Sequence, residues 1–143
     1  MFGRTKNHAC VVAWSLGNES GYGPNFEACA AWLRAANAKS LPRWLQYEGG
    51  RDSVGGLVHF QGNGKGAVSD VVCPMYHEPE EILDTALGAE TRPIILCEYA
   101  HMMENSGGGL DLYFELFDSQ DSAHRQIQGG FIWDWADLTV LRS

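Results

Sequence analysis

The sequence predicts an α/β fold built on a parallel sheet. Three observations lead there: short apolar runs of strand length, segments with helical spacing between them, and polar or aromatic residues where the runs end. The runs are Val11–Leu16, Trp44–Tyr47, Asp70–Cys73, Ile94–Cys97 and Gly130–Trp133. They are continuous rather than alternating in polarity, as strands covered on both faces are. At 143 residues and 45% hydrophobic content the chain can form one core, and it reads as one domain or part of one.

Between the first two runs Phe26, Cys29, Ala30, Leu33 and Ala36 recur at helical spacing, and Asn25 is placed to cap the start of that helix. This completes a β-α-β unit. Residues Glu48 to Ser69 are rich in glycine and lack periodicity, which predicts a surface loop. The G-x-G-x-G at Gly62–Gly66 neither follows a clear strand nor opens a helix, so it does not read as a phosphate loop. Pro79–Leu87 predicts a second helix, opening with proline and acidic residues and stopping at Gly88. Leu110–Phe117 predicts a third, before the last strand. The resulting order implies right-handed crossovers between parallel strands.

Composition excludes several classes. A net charge of −8, with the 10 Lys and Arg scattered along the chain, argues against nucleic acid as a partner. No apolar stretch approaches the roughly 20 residues that span a bilayer, and MFGRTKNHAC carries no apolar signal segment, so the chain reads as soluble and cytoplasmic with no membrane partner. Cys10, Cys29, Cys73 and Cys97 show no C-x-x-C spacing and read as buried free thiols of a reducing compartment. The His residues lack the i, i+4 spacing of a helical metal motif.

In a parallel β/α sheet or barrel, ligands bind at the carboxyl ends of the strands. The runs here end in Asn18 and Glu19, Glu48, Met75 and Tyr76, Glu98 and His101, and Trp133 and Asp134. Nothing in strand formation calls for a glutamate at the tip of two separate apolar runs. Paired carboxylates on one rim suit glycosidic bond cleavage, in which one protonates the leaving oxygen and the other attacks the anomeric carbon or activates water. Tyr76, Trp133 and Trp135 offer aromatic faces to a sugar ring, and Asn18 and His101 offer hydrogen bonds to its hydroxyls.

The stretches NHACVVAWSLGNESGYG, QYEGG, VVCPMY, ILCEYAHMMENS and QGGFIWDWAD, in that order, resemble the catalytic barrel of the family 2 glycoside hydrolases of the large bacterial, lactose-cleaving β-galactosidase type. The resemblance runs over almost the whole chain. It implies that residues 1–143 are the C-terminal part, about strands four to eight, of a (β/α)8 TIM barrel, where an open flavodoxin-like sheet is the alternative. It implies Glu19 as acid/base and magnesium ligand, Glu98 as nucleophile and Tyr76 as the residue beside it. Asn18, Met75, His101 and Trp133 match substrate-binding positions, with Asn18 at the sugar 2-hydroxyl and Trp133 as the apolar platform. The implied reaction is hydrolysis of terminal non-reducing β-D-galactose residues with retention. The alternatives are the related β-glucuronidase and β-mannosidase activities, or an inactive barrel piece with residual sugar binding. The implied cofactors are Mg2+, with its other ligands outside this chain, and Na+ in the full-length protein; the implied parent is a homo-oligomer.

The sequence departs from the family pattern in places. Ala9 and Cys10 stand where Pro-Ser is common, and Ala13 replaces a larger apolar residue. Glu104 stands where the family usually has glycine and adds a charge shortly after Glu98. The glycine-rich loop and the segment Asp118 to Gln126 look longer than usual. A whole β/α barrel takes roughly 250 residues, so the first three strands are expected from elsewhere.

Overall fold

A computed structural model describes residues 1–19, 23–38, 43–48, 69–88 and 91–136. The loop predicted between Glu48 and Ser69 lies almost wholly outside the described residues. The chain falls into two units, Met1–Cys73 and Pro74–Ser143.

The first unit contains α1 (Phe2–Thr5), β1 (Ala13–Asn18), α2 (Pro24–Asn37) and β2 (Trp44–Glu48). β1 and β2 pair in parallel, with Trp14 opposite Leu45 and Asn18 opposite Glu48, and the register shifts between Ser15 and Asn18. α2 opens at Pro24 with Gly23 as its N-cap, so the expected cap Asn25 lies inside the helix. Proline in the first turn fixes φ and lacks an N–H that would have no helical partner, which sets the helix start ahead of the Asn signal.

Trp14, Ala30 and Leu45 form the core of this unit, with Phe2, Val11, Leu16, Phe26 and Leu33 packed around them. A polar strut joins the layers at the end of α2. Trp14 Nε1 donates to Asn37 Oδ1 at 3.4 Å, and Asn37 Nδ2 donates to the Arg43 carbonyl at 2.8 Å. The Arg43 guanidinium then donates to the carbonyls of Val11 and His8. Buried Asn37 and Arg43 therefore satisfy backbone groups that connect α2 to both strands.

The second unit contains α3 (Pro79–Leu87), β3 (Ile94–Tyr99), α4 (Leu110–Phe117), a 3-10 turn (Ser122–His124) and β4 (Ile127–Ile132). β3 and β4 are parallel, with Leu96 opposite Gly130. Glycine is required there: a Cβ on Gly130 would stand 2.7 Å from Leu96 Cβ. β3 also takes the segment Pro74–Tyr76 alongside it, through Cys97 N–H to the Pro74 carbonyl at 3.1 Å and Tyr76 N–H to the Glu98 carbonyl at 2.9 Å. Ile82 and Ala86 from α3, Ile94, Leu96 and Tyr99 from β3, Tyr113 from α4 and Ile127 from β4 are buried.

The predicted run Asp70–Cys73 forms no named strand among the described residues, although Asp70 N–H donates to the Leu45 carbonyl at 2.7 Å. All four cysteines are free, as expected, but Cys10 and Cys29 are exposed; only Cys73 is buried and Cys97 half-buried. Among the described residues no helix is long and apolar enough to cross a membrane.

Candidate active site

Glu98 is the next-to-last residue of β3, half-buried, with its backbone bridged in parallel to Met75. Tyr76 follows Met75 with φ 54, a left-handed turn that carries its ring away from the strand direction. The phenol then donates to Glu98 Oε2 at 2.5 Å. Main chain and side chain thus bind the same pair of residues twice, which fixes the carboxylate's direction.

Beyond Tyr99 the chain turns sharply through Ala100 at φ 66 and His101 at φ 35. That turn presents the His101 ring edge-on to Tyr76, with ring centroids 5.3 Å apart. Trp133 follows β4 directly. Its N–H donates to the Tyr99 carbonyl at 3.0 Å and its carbonyl accepts from Met102 N–H at 2.5 Å, so Trp133 is tied to both sides of the same turn. The second unit accordingly gathers Tyr76, Glu98, His101 and Trp133 at the carboxyl ends of β3 and β4. Met75 is buried, with 7% of its surface exposed, and its backbone is bridged to Glu98.

A cleft of about 490 Å³ opens beside Tyr76 and His101, walled by Ala100, Ser106, Gly108, Gly109, Leu112 and Tyr113, with Glu78 and Pro79 at the start of α3. Tyr113 donates to the His77 carbonyl at 3.1 Å. Burial, reinforced by Glu78, Glu81 and Glu80, pushes its phenol up to about 12, so Tyr113 keeps its proton and acts as a donor. Burial likewise raises Tyr99, and it lowers His77 against the opposing pull of Glu81. Asp134, just after Trp133, buries both carboxylate oxygens with no hydrogen-bond partner among the described residues.

In the first unit Asn18 closes β1 and Glu19 follows it at φ 49, both exposed. This is the strand-end carboxylate that the apolar run predicts. Among the described residues no three His, Cys, Asp or Glu side chains converge. The resemblance places the other ligands of the magnesium ion at Glu19 outside this chain.

Sequence reasoning missed Ser106. Its hydroxyl donates toward the carbonyls of His101 at 2.7 Å and Met103 at 2.5 Å, and accepts from Met103 N–H at 3.0 Å. It closes the stretch ILCEYAHMMENS, and a serine before a glycine run by itself marks a turn and nothing more specific.

Comparison with known proteins adds to this geometry. Residues 1–143 match the family described as Glycosyl hydrolases family 2, TIM barrel domain. The chain is 40% identical to a beta-galactosidase of Erwinia tasmaniensis over 154 aligned residues, covering 99% of this chain and 13% of that protein. It is 40% identical to a beta-galactosidase of Lactococcus lactis over 148 aligned residues, covering 97% of this chain and 13% of that protein. A beta-galactosidase of Enterobacter cloacae matches at 40% identity with 99% coverage of this chain. The chain thus spans about 13% of the length of these relatives.

Proposed function

Since the chain belongs to the family 2 glycosyl hydrolases, as a portion of their TIM barrel domain, we propose that the protein containing it hydrolyses terminal β-D-galactosides with retention of configuration. In this reading Glu98 attacks the anomeric carbon and expels the aglycone, while Glu19 donates a proton to the leaving oxygen. Glu19 then takes a proton from water as that water displaces Glu98. Tyr76 orients the nucleophile, Asn18 and His101 bind sugar hydroxyls, and Trp133 and Met75 complete the sugar pocket. The strands of this chain correspond to about the fourth to eighth of the barrel. A cytoplasmic setting and a homo-oligomeric parent belong to the same reading.

The observation that carries the reading is the Tyr76–Glu98 hydrogen bond at 2.5 Å. A salt-bridging surface glutamate has no need of a phenol held in a left-handed backbone conformation. A nucleophile does, because attack requires one carboxylate oxygen on a fixed line. That the relatives are named beta-galactosidases supports a galactoside as the substrate.

Incubating the complete protein with a 2-deoxy-2-fluoro-β-galactoside bearing a good leaving group should add one sugar mass to the peptide containing Glu98. Labelling of a different residue, or a product of inverted configuration, would sink the mechanism. Parallel assays with aryl β-galactoside, β-glucuronide and β-mannoside test the sugar; faster cleavage of either of the latter two would replace the substrate assignment and keep the chemistry.

A further inference from the structure

We infer that Ser106 is a positioning residue that holds His101 against Tyr76 at the Glu98 site, an inference that rests on the glycosidase reading above. Two successive left-handed residues without glycine, Ala100 and His101, form the turn after β3. L-residues resist that conformation because Cβ crowds the following carbonyl. Such a turn persists only where neighbouring groups over-determine it. The restraints here are the Met102 N–H to Trp133 carbonyl bond at 2.5 Å, the Met103 N–H to His101 carbonyl bond at 2.9 Å, and Ser106.

The Ser106 hydroxyl sits at the centre of a small ring of hydrogen bonds. Its single proton is shared between the carbonyls of His101 and Met103, at 2.7 and 2.5 Å, and its oxygen accepts from Met103 N–H at 3.0 Å. The Ser106 N–H returns a bond to the Met103 carbonyl at 3.0 Å. Ser106 is exposed and fills no core, so these bonds are its structural contribution. The carbonyl it restrains belongs to the residue whose ring meets Tyr76, and Tyr76 in turn holds Glu98. Removing the hydroxyl leaves the His101 carbonyl with the Met103 N–H alone, which weakens the hold on the strained turn and lets the ring shift off Tyr76.

A double-mutant cycle on the complete protein tests this, with kcat and KM measured on an aryl β-galactoside. Ser106→Ala should lower kcat/KM roughly tenfold, the effect of one lost hydrogen bond. In combination with His101→Ala it should cost no more than His101→Ala alone, because a residue acting only through His101 has nothing left to position. Ser106→Thr, which keeps the hydroxyl, should recover most of the loss. Full additivity with His101→Ala, or a Ser106→Ala rate within about twofold of the unchanged protein, overturns the inference. If Ser106→Ala does not fold, Ser106→Cys keeps the side chain's size with a weaker hydrogen-bonding group, and the same cycle is read with it. Fluorosugar labelling of Glu98 separates the two readings. Labelled Glu98 with an additive cycle removes only the role of Ser106, whereas unlabelled Glu98, or a silent His101→Ala, removes the site reading and this inference together.

Discussion

Glu19, Tyr76 and His101 each adopt a positive φ, at 49°, 54° and 35°, and so do Ala100 and Glu104 at 66° and 54°. Left-handed backbone costs a residue with a Cβ roughly 1–2 kcal/mol, and such costs gather where chemistry needs a particular side-chain direction. For the first three the benefit is visible: each turns a polar or aromatic group at the end of a parallel segment. Glu104 is different, because its side chain is exposed and the resemblance leads one to expect glycine there. Glu104→Gly should therefore stabilise the protein by on the order of 0.5–1 kcal/mol, the relieved strain less the larger chain entropy of glycine. Thermal melts of the two proteins would show a gain of a few degrees; an unchanged or lower midpoint would mean that Glu104 makes a compensating contact. The two glutamates at strand tips were legible from residue pattern alone, since an apolar run that ends in a carboxylate is conspicuous. The Tyr76–Glu98 pair was not, because nothing local links residues on separate segments. Only resemblance suggested it.

At the scale of elements, the start of α3 combines tight local chemistry with one poorly solvated group. Glu78 and Glu81 form a reciprocal capping box, and Pro79 fills the first turn. Immediately before them His77 buries Nδ1 without a hydrogen-bond partner among the described residues. Burial lowers its pKa below 6.5, and Glu81 opposes that shift. With the folded pKa below the unfolded one, the unfolded chain binds the proton first. The stability associated with neutral His77 is thus complete above pH 6.5 and declines as the pH falls from there through the lowered value. Urea midpoints at about pH 8 and about pH 5 should drop less for His77→Gln than for the unchanged protein; equal drops would show that carboxylates alone set the acid sensitivity. The helices nearby, Pro79–Leu87 and Leu110–Phe117, have the limits their sequence predicts. Proline, acidic caps and glycine stops act within a single turn, so the local sequence carries the signal. Strand ends were less legible. β1 runs from Ala13 to Asn18 instead of Val11–Leu16, and β4 from Ile127 to Ile132 instead of Gly130–Trp133. Pairing decides where a strand stops, and the pairing partner lies far off in sequence.

For the molecule as a whole, the two proposed catalytic glutamates are divided between the units, Glu19 within Met1–Cys73 and Glu98 within Pro74–Ser143. A retaining pair works with its carboxyl groups roughly 5–5.5 Å apart, and a displacement of about 1 Å can cost on the order of 100-fold in rate. The 143 residues of the sequence fall well short of the roughly 250 of a full β/α barrel, and they span 13% of the length of their relatives. Closure of a barrel, which would fix one strand tip against another, thus needs strands from outside this sequence. The isolated chain should show no β-galactosidase activity, and any strand edge that lacks its barrel neighbour should favour self-association. Co-expression with the N-terminal barrel strands and flanking domains of the complete protein should produce activity that neither piece has alone. In that complex Glu98→Gln keeps the shape of the side chain and removes the nucleophile, so activity should disappear while the complex still forms on size-exclusion chromatography. If the complex carrying Glu98→Gln assembled and retained full activity, Glu98 would not be the nucleophile, and the Tyr76 hydrogen bond would have to be explained as packing at a barrel mouth.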